Sequence, residues 1–248
     1  MRNEGANASD TLAVAEQAVS PAQEREVANE VSRSEANERL MPPDGLTREQ
    51  LWAYYNRIRN DPYALDVVPR WLSAEQTEPR CEPESMISYS GQRLKFAVPV
   101  QVRPEFVDRL LRFEQLVDEL AQEIYGRTPT RVRHLGAFSC RTSRFRSRRI
   151  SEHALGNAID IAGFDFAPAP KEVRTALSPQ LRHHLRVRVE THWNAREGGV
   201  NGTHRRFLRR LAQRVVEEGV FRVALGPSHR GHANHFHFDM SPWRYVNL

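Results

Sequence analysis

The 248-residue chain is short of several things, and each shortage removes a class of protein. It has two cysteines, Cys81 and Cys140, too few for a disulfide scaffold and without the Cys-x-x-Cys spacing of a structural metal site. One disulfide between them in an oxidising compartment and two free thiols in a reducing one both fit that count. No apolar run reaches the roughly 18 residues of a membrane span. An apolar signal core is missing too, because Thr11 to Val19 is interrupted by Glu16 and Gln17. The expectation is therefore a chain that stays inside the cell, lacks its true start or leaves by an unusual route. Residues 1–45 hold almost no aromatic or large apolar side chains, so they cannot offset the entropy of ordering themselves. They read as a disordered or loosely helical acidic leader. No internal repeat occurs.

Charge is present in both signs but unevenly. Basic side chains outnumber acidic ones by 36 to 31, while residues 1–45 carry nine acids against four arginines. The rest of the chain therefore has 32 basic and 22 acidic groups, a balance that favours an anionic partner such as a nucleic acid, an anionic lipid or a cell-wall polymer.

Beyond the leader, Met41 to Gly45 punctuates the chain, and Thr47 to Asn60 has the cap and apolar stripe of a helix (Leu51, Tyr54, Tyr55, Ile58). Residues 46–103 read as a helical and irregular extension with one extended segment at Leu94 to Val98. Pro104 opens the clearest helix, in which Phe106, Leu110, Phe113, Val117, Leu120 and Ile124 recur at spacings of four and three before Gly126. Thr130 to Cys140 reads as a strand that delivers the chain to Arg141. Arg141, Arg144, Arg146, Arg148 and Arg149 then fall in a serine-rich loop. Further on come a strand over Leu185 to Glu190, a helix capped by Thr203 and closed by Gly219, and a strand from Phe221 to Leu225.

Two pieces carry chemistry: Ser151-Glu152-His153-Ala154-Leu155-Gly156-Asn157-Ala158-Ile159-Asp160 and His235-Phe236-His237-Phe238-Asp239. Alternation along a strand places His235, His237 and Asp239 on one face and the phenylalanines on the other, and puts Asp160 on the histidine side. His153, Asp160 and His237 are a three-ligand set of the kind that holds catalytic zinc and leaves one position for water. Such a zinc lowers the pKa of its water and polarises a carbonyl, as amide hydrolysis requires. His235 is then the candidate general base. Arg141 is a candidate donor to a carbonyl or carboxylate. Ser151 reads as a buttress, since no Gly-x-Ser-x-Gly turn surrounds it. His232 is a candidate partner of the ligands, His134 is structural, and His183, His184, His192, His204 and His229 read as surface residues. Arg205, Arg206, Arg209 and Arg210 read as a solvated helix face.

These residues also carry a resemblance. Ser-Cys-Arg at 139–141, Ser-Glu-His-x-x-Gly-Asn-Ala-Ile-Asp-Ile-Ala-Gly-Phe at 151–164, Leu-Gly-Pro at 225–227 and His-x-x-His-Phe-His-Phe-Asp-Met at 232–240 resemble the bacterial extensin-like C-terminal domain. That domain is similar in its motifs to zinc D-Ala-D-Ala carboxypeptidases, murein endopeptidases and Hedgehog-type domains. The resemblance implies an α+β fold with a small antiparallel sheet flanked by helices, spanning 104–248. It implies one Zn2+ on His153, Asp160 and His237, with His235 and Arg141 catalytic. The implied partner is peptidoglycan or its peptides rather than nucleic acid, and the implied place is the periplasm or cell envelope. Cysteines expected near Gly219 and near the C-terminus are absent, and the segment from Phe166 to His184 is longer than the pattern. A non-catalytic zinc-containing envelope module is the competing class, with a nuclease behind it, since the arginines lack interleaved aromatics and a second acidic metal cluster.

Overall fold

The structure is a computed structural model that describes residues 63–144 and 146–248. The acidic leader and the helix expected over Thr47 to Asn60 lie outside the described residues.

The helix opened by Pro104 forms as its periodicity requires. A 3-10 turn, Pro104–Phe106, leads into α1, Val107–Tyr125, which stops at Gly126. Its stripe of Phe106, Leu110, Phe113, Val117, Leu120 and Ile124 is buried throughout. Before it, β1 (Ile87–Tyr89) pairs antiparallel with β2 (Val100–Val102). The strand expected at Leu94 to Val98 is reduced to a bridge between Phe96 and Val132. At its start the Glu114 carboxylate, fully buried on α1, accepts the backbone N–H groups of Gln92, Arg93 and Leu94 together with the Tyr89 hydroxyl, and further on the Phe96 N–H turns back to the Ser90 carbonyl. Donors consumed by a carboxylate are unavailable to a ladder.

β3 (Arg131–Gly136) ends earlier than expected, and the chain from Ala137 to Arg141 is a loop. The arginine run is not a loop but a hairpin, β4 (Thr142–Ser143) against β5 (Arg146–Ile150). β6 (Ala158–Phe166) is the centre of the main sheet. Antiparallel β3 covers one edge, while β9 (Phe236–Asp239) and then β7 (Leu185–Arg188) share the other. β8 (Val223–Leu225) lies beyond β9, and β10 (Tyr245–Asn247) closes that side, running parallel to β8. The fold is thus α+β, and the expected all-antiparallel sheet acquires a parallel edge because β10 returns alongside β8.

β7 gives way to a short helical turn, α2 (Val189–His192), which takes in Glu190. α3 runs Gly199–Glu217, starting a turn before the expected cap at Thr203. Thr203 is no cap: its hydroxyl donates back to the Gly199 carbonyl one turn earlier. Starting earlier extends the inward stripe from Phe207 back to His204, which is buried and bonded to the Tyr125 hydroxyl, with buried His192 edge-on to it. Both had read as surface histidines. On the polar side, Arg205 pairs with Glu197, Arg210 pairs with Glu123 of α1, and Arg209 stacks over Trp193. That face ties elements together rather than only meeting solvent. The long segment after Phe166 forms 3-10 turns at Lys171–Ala176 and Pro179–Arg182.

Both long helices pack on the phenylalanine face of the sheet. Phe113 of α1 meets Phe164 and Phe238, and Phe207 of α3 meets Phe164 and Phe166. Residues 63–103 add Tyr63, Leu65, Tyr89, Leu94, Phe96, Val100 and Val102 to the same core. One bulge makes this possible. Ile159 and Ile161 face the core, but so do Phe164 and Phe166, so side-chain parity switches between them. The β3 register skips Ala162 there, and Gly163 adopts φ 154° with the Val187 carbonyl 2.1 Å from where a Cβ would sit. The opposite face of the sheet is left for Asp160 and His237. A disulfide joins Cys81 and Cys140 across 59 residues, a loop whose closure removes about 4 kcal/mol of unfolded-state entropy.

Candidate metal centre

His153 is placed by a turn. Ser151 accepts the His153 N–H with its hydroxyl, the 3-10 turn Glu152–Leu155 follows, and Gly156 ends it at φ 60°. Ser151 is therefore the buttress expected of it. Behind this turn, buried Glu152 is held by Arg70 and by the Asn157 amide, and Asn157 accepts from the Tyr63 hydroxyl. Burial, and then the nearby Asp239 carboxylate, push the Glu152 pKa up; Arg70 opposes both.

Asp160 and His237 come from adjacent strands and are register partners in the β6–β9 ladder. Their side chains meet at 2.9 Å (Asp160 Oδ1 to His237 Nδ1). His153 Nε2 lies 3.1 Å from His237 Nδ1 and 3.3 Å from Asp160 Oδ1. A tetrahedral zinc with bonds near 2.05 Å separates its ligand atoms by about 3.3 Å, so the three atoms stand close to zinc spacing. The remaining ring nitrogens fix which lone pairs face inward. His153 Nδ1 donates to the Ala137 carbonyl at 2.6 Å, and His237 Nε2 donates to Asp239 at 2.8 Å. Asp239 is held in turn by the Ser241 N–H at 2.8 Å. Outward N–H bonds of this kind orient metal-binding histidines and raise their basicity.

The electrostatics ask for a cation. Burial lowers the pKa of His237, but the Asp160 and Asp239 carboxylates outweigh it and hold it up to about 9. Burial likewise works to raise the Asp160 pKa, yet its bonds to His153 and His237 pull it far below the carboxylate range. A carboxylate and two imidazole nitrogens this close need positive charge between them, either protons or a metal. Among the described residues, the three form the one group able to hold a metal ion, with donor atoms within 4.8 Å of one another.

His235 sits beside the cluster. Its Nδ1 donates to the Asn234 side chain at 2.7 Å, and its Nε2 lies 3.6 Å from Asp160 Oδ1. Burial lowers its pKa against the pull of Asp160, so the ring is neutral near pH 7 with a free lone pair on the cluster side. His232 packs its ring against His235 and His237, at 4.9 and 5.7 Å between centroids. Half-buried Arg141 lies within the field of Asp160, its guanidinium bonded only to the Thr142 carbonyl and, among the described residues, to no carboxylate. His134 bonds the Val98 carbonyl, away from the cluster.

The structure brings His153, Asp160, His237 and His235 together, and it adds two supports. Asp239 had no role in the sequence reading, although alternation already put it on the face of His237 two residues away. The Ala137 carbonyl left no signal, because any residue supplies one.

The chain is thus an α+β scaffold with a two-histidine, one-carboxylate cluster, of a kind that could hold a metal ion, on the sheet face opposite its helices. Residues 63–247 match the family described as extensin-like protein C-terminus, and the chain belongs to that family. No curated protein and no solved structure matches it. No helix among the described residues is long and apolar enough to cross a membrane.

Proposed function

We propose that this protein is a zinc-dependent hydrolase that cleaves peptide bonds in peptidoglycan stem peptides or cross-links, in the manner of a D,D-carboxypeptidase or endopeptidase. The observation that carries the reading is the convergence of His153 Nε2, Asp160 Oδ1 and His237 Nδ1 at zinc spacing, with neutral His235 beside them. The motif resemblance to zinc D-Ala-D-Ala carboxypeptidases and Hedgehog-type domains adds the substrate class. Zinc, when bound, supplies a Lewis acid that polarises an amide carbonyl and acidifies water.

The chain's own groups do the rest. His153, Asp160 and His237 hold the ion, and their outward bonds to Ala137 and Asp239 keep the ligand atoms aimed. His235 Nε2 takes the proton of the attacking water and returns it to the leaving amine. Arg141, whose donors are mostly unused, binds the substrate carbonyl or a terminal carboxylate. The Cys81–Cys140 disulfide is of a kind that persists in oxidising compartments, which supports a place in the periplasm or cell envelope.

Metal analysis followed by digestion of purified muropeptides tests this. The expected result is about one zinc per chain and cleavage that His235→Ala reduces at least roughly a hundredfold, the scale of losing an acid-base group. Zinc retained without cleavage of any muropeptide would replace the enzyme with a zinc-containing envelope-binding module.

A further inference from the structure

The turn that carries His153 is gripped at both ends by chain from elsewhere. At its start, the loop from Ala137 to Arg141 takes the His153 Nδ1 proton on the Ala137 carbonyl, donates the Ser139 N–H to the His153 carbonyl, and accepts the Ser151 N–H on the Arg141 carbonyl. At its end, the Gly156 carbonyl accepts the Arg103 N–H, and the Met86 sulfur lies where a side chain on Gly156 would go. The segment that holds Met86 begins at Cys81, and Glu82 beside it pairs with Arg103. Cys140 sits in the first strip, next to Arg141.

The disulfide therefore joins the two strips that grip the turn. Ala137 is anchored in the main core, so the crosslink bears on the exposed end of the strip, Ser139 to Arg141. The turn's own apolar residues, Ala154 and Leu155, belong to a small satellite cluster with Leu72 and Ile150, separate from the main core, and Cys81 packs against that cluster. A cluster of four buried side chains holds weakly by itself. The Ala137 to Arg141 loop has no ladder of its own, and Cys140 is exposed.

We propose that the Cys81–Cys140 disulfide is a positioning element of the metal centre, which keeps the Ser139 N–H on the His153 carbonyl, the Arg141 carbonyl on the Ser151 N–H and the Arg141 side chain in place. The proposal rests on the metal-site reading above. Without the crosslink, the exposed end of the strip from Ser139 to Arg141 moves away from the turn, the His153 and Ser151 backbone groups lose their partners, and Arg141 loses its bearing on the substrate.

The test compares the full-length Cys81→Ser/Cys140→Ser double variant with Leu211→Ala, a cavity in the main core on α3. Three quantities are read: zinc affinity by competition with a chelator, amide hydrogen exchange of metal-free protein, and KM and kcat on muropeptides. The double variant is expected to bind zinc about 10-fold or more weakly, the scale for losing support of a ligand. Ser139 and Ser151 amides should exchange faster while those of α1 are unchanged, and KM should rise with the loss of Arg141. Leu211→Ala should speed exchange broadly and leave zinc affinity alone. Unchanged zinc affinity and unchanged Ser139 and Ser151 exchange in the double variant, or the same pattern in Leu211→Ala, would overturn the proposal. If the double variant does not fold, reduction of the folded wild type with a water-soluble phosphine gives the same exchange comparison. A wild type that binds no zinc would sink the metal-site reading, while the exchange data from metal-free protein would still decide whether the crosslink positions the turn.

Discussion

Asp239 points no free oxygen at the His153–Asp160–His237 cluster, yet it sets the state of His237. One oxygen takes the His237 Nε2 proton and the other takes the Ser241 N–H. That arrangement keeps the His237 Nδ1 lone pair on the side of Asp160. Asp239→Asn preserves the volume but removes the charge that, with Asp160, raises the His237 pKa to about 9. Zinc affinity should fall roughly 10- to 100-fold, the usual consequence of losing such a partner, as measured by chelator competition at pH 7. An affinity unchanged within twofold would show that Asp239 only fills space. The residue was visible in the sequence as a same-face neighbour of His237; what could not be read was the rotamer that turns it into a hydrogen-bond acceptor.

At the scale of the element, β6 carries most of the molecule's decisions. Its first half presents Asp160 to His237 across the β9 ladder, and its second half presents Phe164 and Phe166 to the helices. Only the change of parity at Ala162 and Gly163 lets one strand serve both. Gly163→Ala places a Cβ against the Val187 carbonyl at a backbone angle that L-residues rarely adopt. It should cost about 2–4 kcal/mol, seen as a lower urea midpoint with an unchanged slope. A shift of the midpoint by only a tenth of that would mean that the β6–β7 ladder yields easily. Periodicity located α1 and its whole buried stripe, because a helix with a repeating apolar face needs no partner to declare itself. The same reasoning failed at Leu94 to Val98 and at the arginine hairpin. In the first, buried Glu114 takes the Leu94 N–H and the Ser90 carbonyl takes that of Phe96. In the second, pairing depends on a turn rather than on an apolar pattern.

At the scale of the whole molecule, the buried His204 sits between α1 and α3, bonded to Tyr125 and facing His192. Burial, and then the neighbouring His192 and Arg127, lower its pKa to about 4 from an ordinary 6.5. The folded protein thus keeps the ring neutral while the unfolded chain protonates it. The stability this contributes is fully present above pH 6.5 and is lost as pH falls through about 4. The difference amounts to up to about 3 kcal/mol. Thermal melts of metal-free protein should show Tm dropping more steeply between pH 6.5 and 4 for the wild type than for His204→Gln. Parallel curves would show that the helix interface does not sense this proton. The α1 helix, the phenylalanine face of β9 and the shared side of Asp160, His235 and His237 follow from the chain alone, because period and residue chemistry are local properties. That Asp239 and the Ala137 carbonyl hold the outer nitrogens of His237 and His153, that His192 and His204 are buried, and that Cys81 meets Cys140 came only with the folded chain. Those depend on which distant segments come within hydrogen-bond or bonding distance, and distance in space is set by packing of the whole core rather than by any stretch of chain.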